Sequence, residues 1–195
     1  RPMTANHELW RIFRNGQFIP QNIVTNAKMY IKFNTVIIPK QHKQHNISRI
    51  DIYSTTELDD TYIAQLIQHI SNRYQLLNRF RDGGNNLSRL SISMLMLADK
   101  KILRGDTITV DAINSGLISH AVGDTAAVAH IIVYRVEEML KVLTHELCHY
   151  FKVEATRELL KPLRPHFGIT SEYMAPAEAM TEAYAVVFNG VCNSD

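Results

Sequence analysis

The chain has 195 residues, 46% of them hydrophobic, and carries 21 Lys and Arg against 19 Asp and Glu, a formal net charge of +2 at pH 7. That length can bury one sizeable core, so a single domain over 1–195 is expected, and the even charge balance gives no global argument for nucleic acid or a membrane surface as partner. Two cysteines, Cys148 and Cys192, exclude a disulfide framework, and no apolar run approaches the ~20 residues that span a bilayer.

No secretory signal is visible, and the chain opens on Arg1-Pro2-Met3. It is therefore expected to be an excised or processed part of a longer protein. Its localisation is left open, with a lean towards the intracellular side from its cysteine usage. Thr35-Val36-Ile37-Ile38-Pro39 and Ile50-Asp51-Ile52-Tyr53 read as short strands. The basic run between them, Lys40 to Arg49, reads as a solvated loop. Its His42 and His45 are conceivable metal ligands, but no second cluster supports them. Thr56 is the expected N-cap of a long amphipathic helix, along which Leu58, Tyr62, Ile63, Leu66, Ile67, Ile70, Tyr74, Leu77 and Phe80 recur at helical spacing. Its end is expected near Asp82-Gly83-Gly84, and its aromatic residues are assigned to a core.

Leu90, Ile92, Met94 and Met96 alternate with Ser91, Ser93, Leu95 and Leu97, and Thr107-Ile108-Thr109-Val110 follows a Gly-Asp turn; both read as strands. An apolar run from Ala126 to Tyr134 leads directly into a helix from Val136, in which Met139, Leu140, Leu143, Leu147 and Phe151 continue a stripe at three- and four-residue steps. A further helix over 176–188 starts with Pro176 in its first turn and is expected to stop at Asn189-Gly190.

The 136–151 helix carries His145-Glu146-Leu147-Cys148-His149. Two histidines four residues apart lie about 40° apart around a helix and roughly 6 Å along it, so both can reach one metal ion. Glu146, offset from both, can act on water instead of ligating. Leu143 and Leu147 lie almost opposite the histidines, as on a helix with one face in a core and the other in a cleft. Cys148 reads as a small buried thiol.

A catalytic zinc takes three protein ligands and water, so a third is needed. Lys152 and Ala155 stand where the pattern His-Glu-x-x-His-x-x-Gly-x-x-His needs glycine and histidine, which excludes the metzincin arrangement. Glu178 and Glu182, four apart on the 176–188 helix, can each present a carboxylate, with Met180, Ala183, Tyr184 and Val187 to pack around them. A buried carboxylate is costly without a partner, and a metal is one. Either glutamate could ligate, or both could be solvated.

These motifs resemble those of the zincin metallopeptidases, and among them the gluzincins, in which a glutamate on a later helix completes a two-histidine site. The resemblance covers the motifs and not the whole chain. Glu178-Ala179-Met180-Thr181-Glu182-Ala183-Tyr184 looks like the gluzincin pattern in which the ligand is followed four residues later by an acid that orients a ligand histidine. This implies Glu178 as ligand and Glu182 behind His145 or His149. The rival alignment sets Thr181-Glu182-Ala183-Tyr184-Ala185 against the Asn-Glu-Gly-Phe-Ala of aminopeptidase-like gluzincins and makes Glu182 the ligand; Glu178 is preferred. His-Glu-Leu-Cys-His is also similar to the motif of SprT-like proteases acting on DNA-crosslinked proteins, for which His166 of Pro165-His166-Phe167-Gly168 would be the ligand. The cysteine-rich zinc ribbon often present in those proteins is missing.

The resemblance implies an α+β zincin-like fold, with a mixed twisted sheet packed on the active-site helix, a helical C-terminal part, and a cleft-edge strand that takes extended substrate. It implies Zn2+ as cofactor, a peptide or protein as substrate, and Glu146 as general base for a metal-activated water. Tyr173 is favoured as oxyanion donor over Tyr184 and His166. A non-catalytic zincin-fold module, for binding or structure, is the alternative from another class. Cleavage specificity and oligomeric state are left open.

Overall fold

The computed structural model describes residues 19–30, 33–37, 46–81, 88–101, 114–120, 128–153, 161–168, 170 and 176–194. β1 (Phe33–Ile37), β2 (Ile47–Ser54), β3 (Arg89–Leu95), β4 (Gly116–His120) and β5 (Val128–Val133) form a five-stranded sheet in the order β1-β2-β3-β5-β4. The inner pairs β2–β3 and β3–β5 are parallel, whereas β1 and β4 lie antiparallel at the two edges. Parallel strands require cover on both faces, and these strands have it.

Strand register builds the larger core row by row. Ile52, Met94 and Val133 are lateral neighbours, as are Ile50, Ile92 and Ile131, and all six are almost fully buried. Onto this face pack α2 (Asp60–Asn78), through Leu66, Ile70, Tyr74 and Leu77, and α3 (Met139–Phe151), through Leu143, Leu147 and Phe151. The two-residue period of the strands sends Tyr53, Leu95 and Ile132 to the opposite face, where they meet Ile23 and Val24 of α1 (Gln21–Tyr30). The chain is thus an α+β structure with a mixed sheet between helices. Among the described residues, no helix is long and apolar enough to cross a membrane.

Several boundaries differ from the sequence expectation, each for a local reason. The N-cap of α2 is Asp59, not Thr56: its carboxylate accepts from Tyr62 N at 2.8 Å, while Thr56 lends its carbonyl to Ser54 Oγ. That helix closes at Arg79, ahead of the Asp-Gly-Gly run. α3 starts at Met139; Val136 belongs to the preceding turn, where its N–H bonds Leu97 O at 3.1 Å and its side chain is exposed. Lys152 ends α3 in the left-handed conformation, with φ 56°, so that Lys152 N–H and Val153 N–H cap the last carbonyls.

The last helix, α5 (Pro176–Cys192), follows the short α4 (Leu163–His166) and runs straight through Asn189-Gly190. The expected stop is overridden because fully buried Arg73 of α2 donates to Asn189 Oδ1 and Asn193 Oδ1, both at 2.7 Å. The asparagine that would otherwise end the helix instead accepts a hydrogen bond from a buried guanidinium. Neither α1 nor β4 was expected. The strand expected over 107–110, His42 and His45 lie outside the described residues.

β4 approaches α3 closely at Gly116. A Cβ there would stand 2.6 Å from Val142 Cγ1, 3.0 Å from Ile132 O and 3.3 Å from Glu146 Oε1. Buried Arg135 holds the start of the strand by donating to Asn114 O at 2.6 Å, next to a Tyr134 N–H to Ser115 O bond. Gly116→Ala is expected to push β4 off α3 and to cost about 1–3 kcal/mol, the usual range for overpacking. Urea denaturation checks this, with Val142→Ala added in the same chain: the pair should lose less than the sum of the single losses, and simple additivity would refute the steric account.

Candidate metal centre

Leu143 and Leu147 are fully buried, which turns the other side of α3 away from the core. His145 and His149 project there, half-buried, with side chains 19% and 20% exposed. Their Nε2 atoms lie 3.0 Å apart. From the first turn of α5, Glu178 Oε2 completes a triangle, 3.4 Å from His145 Nε2 and 3.5 Å from His149 Nε2. Its side chain is 67% exposed, so the burial expected of this carboxylate is not found, because the first turn of α5 faces solvent.

That triangle provides a test of fit. Ligands arranged tetrahedrally at the ~2.0–2.1 Å of zinc–nitrogen and zinc–oxygen bonds stand about 3.3–3.4 Å from one another. The three observed separations bracket this value, and the donor set of two imidazoles and one carboxylate is one that zinc accepts. The residues present therefore fit the ion.

The tautomer suits it as well. His145 Nδ1 lies 3.1 Å from Glu182 Oε2, which puts the proton of the neutral ring on Nδ1 and leaves Nε2 as a bare lone pair. Burial first, and then the neighbouring His149, lower the His145 pKa and favour that neutral ring. Glu182 is gripped from its other side, where Lys141 Nζ donates to Oε1 at 2.5 Å. Burial works against ionising Glu182, yet the Lys141 contact and charge together with His145 bring its pKa below the ordinary value.

Glu146 is in the opposite situation. It is 7% exposed, and desolvation, with a smaller push from Glu178, raises its pKa from 4.5 to about 7. It borders a cleft of about 460 Å³, walled on one side by Ser115 and Gly116, on another by Val142 and His145, and on a third by Glu178 and Glu182.

The remaining candidates are distributed as follows. Glu182 lies against the outer nitrogen of His145, not in the triangle. His166 is exposed on α4 with its ring against Phe167, and it too is outside the triangle. Tyr184 packs against the core and near Phe188. Cys148 is fully buried on the core side of α3. Tyr173 lies outside the described residues. Sequence reasoning missed Lys141 and Gly116. Lys141 had a visible signal, a cation one helical turn before His145 on the same face; Gly116 had none. Compared with family models, curated proteins and solved structures, the chain matches none of them.

The two buried titrations oppose each other in metal-free protein. The folded state holds the Glu146 proton more tightly than the unfolded chain does, so that group's contribution to stability falls as pH rises from about 4.5 to about 7. His145, with its lowered pKa, contributes stability that grows as pH rises towards 6.5. Subtracting the Glu146→Gln unfolding free energy from the wild-type value isolates the first effect. In chelator-treated protein that difference should decline across about pH 5 to 7; a flat difference would contradict the burial argument.

Proposed function

We propose that the chain is a zinc-dependent peptidase of the gluzincin arrangement, with His145, His149 and Glu178 as metal ligands and Glu146 as general base. The observation that carries this reading is the convergence of the two Nε2 atoms and Glu178 Oε2 at 3.0–3.5 Å beside a buried carboxylate.

When bound, zinc supplies Lewis acidity that lowers the pKa of water towards ~7 and polarises a carbonyl. The protein's own groups do the rest. Glu146, buried beside the histidine pair at the cleft wall, is positioned to take a proton from the attacking water and return it to the leaving amine. Glu182 holds the His145 ring in the ligating tautomer. β4 is an edge strand at the cleft wall, and among the described residues no strand pairs with its outer side. Its main-chain groups are therefore placed to bind an extended peptide as an added strand. Tyr173 remains the sequence's candidate for oxyanion donor.

Glu146 also separates this reading from a non-catalytic module. A purely structural zinc is closed by four protein ligands and has no use for a base beside the first histidine. The SprT-like alternative needs His166 as ligand, and the exposed position of His166 outside the triangle does not favour it.

Two measurements test the proposal. Metal analysis should find one equivalent of zinc in wild type, lost on His149→Ala or Glu178→Ala; zinc retained by Glu178→Ala would remove that residue from the ligand set. Glu146→Gln should keep its zinc yet hydrolyse peptides about 10²–10⁴-fold more slowly, the usual contribution of a general base. Wild-type turnover in that variant would refute the role of Glu146.

A further inference from the structure

Glu178 and Glu182 leave α5 one turn apart, and both reach His145. They meet it on different nitrogens. Glu178 Oε2 faces Nε2, which His149 shares, whereas Glu182 Oε2 faces Nδ1 on the far side of the ring. The two side chains are chemically identical, so their places follow from where each leaves α5 and, for Glu182, from a charged neighbour.

Lys141 is that neighbour. It precedes His145 by four residues on α3, which puts both side chains on one face of the helix. Its Nζ bonds Glu182 Oε1 at 2.5 Å and stands 4.0 Å from Glu138 Oε1, a carboxylate whose other oxygen meets Lys101 Nζ. Both oxygens of Glu182 are thereby committed, one to an ammonium and one to an imidazole N–H. Among the described ion pairs, Glu178 has only the two histidines.

We propose that Lys141 is a positioning residue that assigns the two glutamates their separate places, holding Glu182 behind His145 so that Glu178 alone faces the histidine pair. A carboxylate already neutralised by a lysine has less to offer a divalent cation. Moving it would also leave the half-buried Lys141 ammonium with only the more distant Glu138 carboxylate as counter-charge. The row Lys101–Glu138–Lys141–Glu182–His145 thus holds the ring from the cleft wall inwards, as partners behind metal ligands do. This inference rests on the zinc-centre reading.

The test is zinc affinity, measured by chelator competition on the whole chain, together with the visible spectrum of the cobalt(II)-substituted protein. Lys141→Met should weaken zinc binding about 10-fold or more, within the range for loss of such a partner, and should alter the cobalt spectrum. Lys141→Arg should restore both, and in a Glu182→Gln background Lys141→Met should have no further effect. Lys141→Gln serves in place of Lys141→Met if that variant does not fold. Unchanged affinity and spectrum, or an equal loss in the Glu182→Gln background, would overturn the inference while leaving the zinc centre standing. Failure of wild type to bind zinc would instead overturn the zinc-centre reading, and this inference with it.

Discussion

Leu143 and Leu147 sit fully buried against the sheet, and their seating sets the azimuth of α3. Because His145 and His149 lie on the other side of that helix, the packing of two leucines aims two imidazoles at common ground. Rotation of α3 by a fraction of a turn would expose the leucines and bury the histidines without partners. Each of those changes costs free energy, so hydrophobic burial holds the polar geometry in place. The core under α3 is made of parallel strands whose facing rows, such as Ile50, Ile92 and Ile131, leave no polar atom for the helix to meet.

The carboxylates around the histidine pair are differentiated by environment. Desolvation moves Glu146 up to about 7, whereas Glu182, more exposed and in contact with Lys141, moves down. Divergence of this kind separates a group that exchanges protons near neutrality from one that stays charged. The difference comes from position alone. Glu146 lies under the edge strand, where Gly116 admits no side chain between them, while Glu182 reaches outward from α5 to a cation.

Gly116 therefore has two effects. It lets β4 approach α3, and it places the backbone of an edge strand along the wall of the cleft. The strand's start depends in turn on Arg135, whose guanidinium holds the Asn114 carbonyl. Arg73 plays a comparable part at the far end of α5, where its bonds to Asn189 and Asn193 tie that helix to α2. Two buried arginines thus brace the elements on either side of the histidine pair.

Where a pattern repeats within one element, the sequence by itself determined the result. The three- and four-residue stripe of α2 and α3, the alternation in β3, and the four-residue spacings of His145 to His149 and Glu178 to Glu182 follow from helix and strand periods. They are legible without any partner. The exact ends were less so, because Asp59 and Thr56 are both good caps and only the path of the chain after β2 chooses between them. What the tertiary structure decided are contacts between residues distant in sequence. Arg73 carries α5 past Asn189 from 116 residues away, Lys141 reaches Glu182 from 41 residues away, and Val142 meets Gly116 where no motif marks a close approach. A period is a property of the local backbone, whereas which side chains meet across elements depends on where the fold brings those elements together.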